Sequence, residues 1–255
     1  MGCLCGSQDA RPLLRYDKPD QYEEALGIGA EGYWRSWVQC SACGLHRSES
    51  SKDEGTIQQI YESAYRDQSA DWRQRSAENR FLKIMSIPPE DSETQVRIGW
   101  LLKSLEMLGN AGLVSLPKGP HVLDIGGASG VFAHSLSLIG WAAEVIDPCQ
   151  EGAFIEKYGV KYHQSFYISG LELGRYDGLS MIFMLEHVAD PLETLRQSRA
   201  NLKDKGFLFI EVPDASAFAT CGPDHDTFNS CHLWLFTPKT LSMLLEQAGY
   251  TIHSI

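Results

Sequence analysis

From Pro117 onward, short apolar runs alternate with helical patterns, and this alternation constrains the fold more than any other feature of the chain. It is the signature of βαβ units on a parallel sheet. The runs read as strands are HVLDI, AAEVID, VKYHQS, YDGLSMIFM, GFLFIEV and YTIHSI. Between them, GVFAHSLSLIG closes on Gly140, AFIEKYG on Gly159, and PLETLRQSRANL starts at Pro191. TPKTLSMLLEQAGY has Thr237 placed as N-cap, Pro238 in the first turn and Gly249 past the end. Strands such as VLDI and GLSMIF are apolar on both faces, so helices should cover both sides of the sheet.

Ahead of this region lie two others. Residues 1–60 are loop-rich, with paired cysteines and β-like pieces such as YWRSWVQC. Residues 61–115 read as a helical connector. There TQVRIGWLLKSLEMLG is expected to bury Val96, Trp100, Leu101, Leu105 and Leu108 and to stop at Gly109. Residues 116–255 then form the α/β domain, a doubly wound, mostly parallel sheet. A chain of 255 residues can build a full core for this arrangement.

A net charge of −11 argues against a general nucleic-acid binder, which needs a basic face. No apolar run approaches the ~18 residues of a membrane-spanning helix. The N-terminus MGCLCGSQDARPLL has neither the basic flank nor the apolar run of a secretory signal. Gly2 precedes Cys3, yet Gly6 stands where a myristoylation pattern wants Ser or Thr. Seven cysteines, an odd count, suit a reducing compartment. A cytoplasmic location is expected, with no membrane partner.

In an open α/β sheet, ligands sit at the carboxyl ends of the strands. HVLDIGGASG puts Asp124, Gly126, Gly127 and Gly130 there. A pyrophosphate beside Asp124 would be repelled, and Ala128 occupies the second glycine position of the dinucleotide pattern. A cationic ligand would be attracted, and S-adenosylmethionine carries an ammonium and a sulfonium without phosphate. The glycines would permit its close approach to the backbone. Asp147, 17 residues beyond Gly130, ends the second strand, where a carboxylate can accept from ribose hydroxyls. An NAD site uses an acid at that place too, so a nicotinamide-dependent oxidoreductase stays open as a rival.

With these residues in view, the chain resembles the class I S-adenosylmethionine-dependent methyltransferases. VLDIGGASG looks like their first motif and EVIDP, with Asp147 and Pro148, like their second. YDGLSMIFMLEHVADPLETLRQSRANLKDKGFLFIEVPD and HLWLFTPKTLSMLLEQAGY resemble later segments of a branch acting on sugars and polysaccharides, and CLCG with CSACGL resembles its N-terminal zinc-binding segment. The resemblance implies S-adenosylmethionine as cofactor and a sugar-like small-molecule acceptor. It also places Ser165, Phe166 and Met184 near the donor. The family sheet ends with a seventh, antiparallel strand, and this sequence stops inside the sixth; a bare sheet edge would invite a second copy or a partner chain.

Cys3, Cys5, Cys40 and Cys43 are expected to hold a structural zinc. Two short-spaced pairs with 34 residues between Cys5 and Cys40 suit tetrahedral coordination. Cys-x-Cys replaces the family's Cys-x-x-Cys in the first pair, with Gly2 at the usual first position. For catalysis the candidates are Glu186 and His187, after the fourth strand, and His232, after the fifth. A histidine base suits an acceptor that must lose a proton. A structural role for Glu186 and His187 in the strand–helix turn is equally open. Trp234 and Phe236 either line an acceptor pocket or pack the loop. Asp224, His225 and Asp226 read as a solvated loop. A binding module that retains the donor pocket without catalysis is the reading from another class.

Overall fold

The computed structural model describes residues 2–52, 56, 76–168, 171 and 173–255. Its strands are β1 (Ala10–Tyr16), β2 (Arg35–Cys40), β3 (His46–Ser50), β4 (His121–Ile125), β5 (Ala142–Asp147), β6 (Lys161–Gln164), β7 (Tyr176–Ile182), β8 (Leu202–Glu211) and β9 (Trp234–Leu235). Its α-helices are α1 (Gln21–Ala25), α2 (Ala77–Met85), α3 (Glu93–Asn110), α4 (Val131–Leu138), α5 (Pro191–Ala200), α6 (Ala217–Thr220) and α7 (Pro238–Gln247). The part of the expected helical connector that spans 61–75 lies outside the described residues. The chain divides into two compact units.

One unit, Arg75–Met184 with Glu193–Glu211 and Ile252–Ile255, holds the parallel sheet in the order β6-β5-β4-β7-β8. Successive strands step outward from β4 first to one side and then to the other, so the chain reverses direction between β4 and β7. All four neighbouring pairs are parallel. Leu123, Ile125, Val145, Ile146, Leu179 and Met181 are no more than 1% exposed, as expected for strands covered on both faces. On one face Val122, Val145, Phe207 and Phe209 pack with Phe132 and Leu136 of α4, Ile98, Leu101 and Leu105 of α3, and Phe81 of α2.

Four expectations for this part of the chain are corrected. The buried stripe of α3 runs through Thr94, Ile98, Leu101, Ser104 and Leu105; Val96 and Trp100 are 67% and 45% exposed. At 100° per residue, those two point well away from the stripe. The helix also runs through Gly109 and ends at Asn110, with Ala111 as C-cap and Gly112 in the left-handed region. Gln150–Tyr158 is a 3-10 helix, closed by left-handed Gly159. YTIHSI forms no strand: among the described residues no neighbouring strand offers it a ladder, and β6 and β8 are the sheet edges.

The other unit comprises Met1–Gln74, Leu185–Leu192 and Val212–Thr251. Its antiparallel sheet runs β1-β2-β3-β9, joining an N-terminal hairpin to a strand from late in the chain. Trp37, Phe228 and Leu235 are at most 1% exposed and form its core with Ala215 and Ala217. A buried polar network ties the early and late segments together. Arg35 donates to the Phe228 carbonyl at 2.6 Å, and Asp20 accepts from the Ser230 N–H at 2.6 Å and its hydroxyl at 2.8 Å. Thr237 caps α7 with Pro238 in the first turn, and Gly249 follows in the left-handed region.

Candidate functional site

The β4 turn sits at the carboxyl end of the parallel sheet, where the strand order reverses. Gly126 takes φ +73°, and a Cβ there would lie 2.6 Å from Met184 Cγ. A Cβ on Gly127 would lie 2.6 Å from Asp124 Oδ2. Both glycines therefore make room for the protein's own side chains as well as for any ligand. Ala128 holds φ +47°, an uncommon conformation for a residue with a side chain. Gly130, at φ +70°, is the N-cap of α4.

Asp124 is 3% exposed. Among the described residues its carboxylate accepts one hydrogen bond, from the Ser180 hydroxyl at 2.6 Å. The β4–β7 register puts these two residues side by side. Burial pushes the Asp124 carboxyl up to about 7; Ser180 pulls it down, and the charge on Asp147 pushes it further up. Asp147 is fully buried and works as a clasp. Its Oδ2 accepts from the Ala128 N–H at 3.1 Å and its Oδ1 from the Cys149 N–H at 2.8 Å, so β5 holds the β4 turn in place. Pro148 lies inside that clasp. Ser165 donates its N–H to the Asp147 carbonyl at 3.2 Å, which brings the end of β6 to the same edge. Ser165 and Phe166 are half-buried there, and Met184 is 7% exposed against Gly126.

Sequence reasoning missed three features of this edge. Ser180, a lone hydroxyl in the apolar run GLSMIF, is the partner of Asp124; its polarity among apolar neighbours was the available signal. Phe183 takes φ +51° and is 44% exposed. Arg97 lies over its ring, 5.6 Å from the centroid, while binding Glu211 at 2.6 and 2.8 Å. Nothing in the local sequence marks a positive φ at a phenylalanine.

Glu186, His187 and His232 come together in the other unit. Glu186 and His187 lie in a 3-10 turn, Leu185–His187, and their side chains are 0% and 3% exposed. His187 Nδ1 donates to the Cys231 carbonyl at 2.9 Å, and His232 Nδ1 donates to the Thr227 carbonyl at 2.8 Å. Burial lowers the pKa of His232, so its ring is neutral at neutral pH. The two rings meet edge to face, with centroids 4.8 Å apart. The turn is pinned by the Leu233 N–H, which donates to the Glu186 carbonyl at 2.8 Å, and by Trp234 Nε1, which donates to the Val188 carbonyl at 2.8 Å. Trp234 and Phe236 are at most 2% exposed and pack the interior. Asp224, His225 and Asp226 are exposed, as a solvated loop requires.

The four cysteines converge in the same unit. Cys3 Sγ lies 3.4 Å from Cys43 Sγ and 3.5 Å from Cys5 Sγ, and Cys5 Sγ lies 3.6 Å from Cys40 Sγ. Four sulfurs around a zinc at about 2.3 Å would stand roughly 3.8 Å apart, so the donor set fits tetrahedral zinc. Cys3 belongs to the cluster despite the shortened first pair. Each pair sits in a tight turn, with left-handed Gly6 after the first and left-handed Gly44 after the second. Burial raises the Cys40 pKa, but the N–H groups of Cys43 and Ala42 and the neighbouring thiols more than offset it, bringing it to about 6.

A parallel sheet with an acidic, glycine-bearing turn at its switch point defines an α/β nucleoside-binding fold. Residues 101–255 match the family described as "Methyltransferase domain", and the chain belongs to that family. Among curated relatives, a ubiquinone biosynthesis O-methyltransferase of Bordetella bronchiseptica is 27% identical over 58% of this chain and 61% of its own length. The protein of the same name from Marinobacter nauticus is 28% identical over 54% of this chain and 66% of its own length. The chain thus spans less than two-thirds of the curated relatives it matches. A solved SAM-dependent methyltransferase from Thermotoga maritima is similar at 22% identity and a TM-score of 0.45, covering 59% of this chain and 70% of that one.

Proposed function

We propose that this chain transfers the methyl group of S-adenosylmethionine to a small hydroxyl-bearing acceptor, sugar-like in character. The observation that carries the proposal is Asp124, a buried carboxyl at the ligand edge of the sheet whose pKa is held near 7. A cationic ligand supplies the counter-charge that such a group lacks; a diphosphate would worsen its position. The turn Gly126–Gly130, with Ala128, receives the methionine half of the donor, and Met184 supports the turn from behind. Asp147, with Pro148, faces the ribose, and Ser165 and Phe166 flank the base.

Bound donor supplies an activated methyl group: the carbon–sulfur bond breaks with its electron pair left on sulfur, and the acceptor oxygen forms the new bond. The protein's share is orientation, for which ~7–11 kcal/mol of barrier reduction is available. The acceptor's proton also has to leave, and we assign its removal to the Glu186, His187 and His232 cluster. With both Nδ1–H groups given to carbonyls, each ring keeps its lone pair on Nε2. Cys3, Cys5, Cys40 and Cys43 would hold a structural zinc that fixes the N-terminal hairpin. The relatives named O-methyltransferase support a hydroxyl acceptor, and the sugar class rests on resemblance to the sugar-modifying branch.

Isothermal titration of the metal-replete chain with S-adenosylmethionine and S-adenosylhomocysteine tests the proposal. Saturable heat with both ligands and none with NAD is expected; silence with both donor species would end it. Elemental analysis showing clearly less than one zinc per chain would remove the zinc assignment.

A further inference from the structure

We infer that Glu186, His187 and His232 form a second metal centre, a two-histidine, one-carboxylate site for a divalent first-row transition ion. One ligand atom from each of the three residues lies within 4.8 Å of the other two. The side chains are buried, and each histidine has its Nδ1–H committed to a backbone carbonyl. Carbonyl partners of this kind fix the tautomer of metal-binding histidines and turn the Nε2 lone pair toward the ion. Imidazole with carboxylate is a donor set that suits zinc, iron(II) and cobalt(II), and disfavours magnesium and calcium, which take oxygen ligands.

The spacing separates this cluster from a simple histidine–carboxylate pair. Glu186 Oε1 and His187 Nε2 are 3.9 Å apart, too far for a hydrogen bond. Two ligands bound at about 2.0–2.2 Å stand between roughly 2.9 Å apart at a right angle and roughly 4.3 Å apart in line. The observed separation falls inside that span. The site would also cross-link the turn Leu185–His187 to the segment ahead of β9, two pieces of chain 45 residues apart, both within one unit.

Metal binding stands on this geometry alone. Its consequence for catalysis rests on the proposed methyl transfer. A cation held there would let the same cluster favour loss of the acceptor's proton by drawing charge from the acceptor oxygen, a Lewis-acid contribution in place of uptake on an imidazole.

Cobalt(II) titration of the full chain, stripped with a chelator under reducing, anaerobic conditions, tests the inference. Two ions per chain are expected. One gives the thiolate-to-cobalt charge-transfer bands of the cysteine site, and the other gives only the weaker bands of nitrogen and oxygen ligation. Glu186→Gln and His232→Gln should each weaken the second ion by about 100-fold or more while leaving the thiolate bands unchanged. Those bands report that this unit is still folded. A wild-type chain that takes up only the thiolate-ligated ion would overturn the inference, as would retention of the second ion at full affinity by both variants. Donor titration on the same samples keeps the two ideas apart. Donor heat without a second ion removes the metal centre alone, and a second ion without donor heat removes the methyl-transfer proposal alone.

Discussion

The two ends of the parallel sheet treat a carboxylate in opposite ways. At one end Glu144 of β5 is surrounded by partners: His121 Nε2 at 2.9 Å, His163 Nε2 at 2.5 Å, the Tyr176 hydroxyl at 3.1 Å and Lys161 Nζ at 3.5 Å. Nearby, Asp177 accepts from Lys203 at 3.0 Å and from the His121 N–H at 2.8 Å. Burial raises the Glu144 pKa, but its hydrogen bonds to His163, His121 and Tyr176 outweigh that and hold it below the usual range. At the other end Asp124 has one neutral hydroxyl and a second acid, Asp147, beside it. The sheet thus carries well-partnered acids, Glu144 and Asp177, towards the amino ends of its strands, and Asp124, with one hydroxyl partner among the described residues, towards the carboxyl ends. Among the described residues no cation is paired with Asp124, and under the proposed function that carboxylate receives its counter-charge from the bound donor.

The sharpest way to break this contrast is Asp124→Asn. Donor affinity should fall by about 100-fold or more, the order expected when a charge-assisted contact is lost from a buried site. The free protein should become more stable at pH 8, because an acid raised from ~3.9 to about 7 costs up to about 4 kcal/mol once ionised. Thermal melts and donor titration on one preparation check both signs. Unchanged donor affinity would break the link between Asp124 and the ligand.

The same group makes pH a probe. Its folded pKa lies above its unfolded value, so the native state holds the proton more tightly. The free protein therefore loses stability from this group as pH rises from about 4 to about 7. Donor affinity should move the other way, weakening by about tenfold per unit as pH falls below 7, since the cation needs the ionised carboxylate. A flat affinity profile between pH 5.5 and 8, measured by titration, would contradict the assignment.

At the satisfied end the expected effect is smaller and purely structural. Glu144→Gln should cost about 1–3 kcal/mol at neutral pH, because the negative charge and one of the two oxygens that accept from His121, His163 and Tyr176 are lost. Donor affinity should stay within about twofold. The sign with pH is opposite to that of Asp124. The depressed Glu144 pKa contributes stability above the unfolded value near 4.3 and loses it as pH falls through the folded value. Urea melts at pH 7 and pH 4 separate the two. A donor-binding defect in Glu144→Gln would show that the ends are coupled.

How much of this was legible in the sequence varies with range. The parallel sheet was legible because runs such as HVLDI and AAEVID carry their period within a few residues. The β4 turn was legible because glycines and an acid at a strand end are local chemistry. The convergence of four sulfurs was legible in the pair spacing. What lay hidden depends on register across the sheet. Nothing near Ser180 in the chain announces Asp124; the pairing exists only because β4 and β7 are neighbours. Likewise, His121, Glu144 and His163 come from three strands, each reading there as an ordinary polar position. The face of α3 was misjudged at Val96 and Trp100 because an apolar residue on an exposed helix side looks the same in sequence as one in the core.

The finest test of the contrast is Ser180→Ala, which removes the one hydrogen bond among the described residues that favours the charged form of Asp124. Without it the carboxyl pKa must rise further, so the midpoint of donor affinity against pH should move upward. At pH 7 binding should weaken a few-fold, and at pH 8.5 it should recover, because there the carboxylate ionises regardless. The free protein should lose no more than about 1 kcal/mol, the worth of one neutral-to-charged contact in a pocket that prefers the protonated acid. Threonine at the same position keeps the hydroxyl and should hold the midpoint where it is. If alanine and threonine shift it alike, the serine acts through packing, and the low charge of Asp124 at neutral pH comes from burial alone.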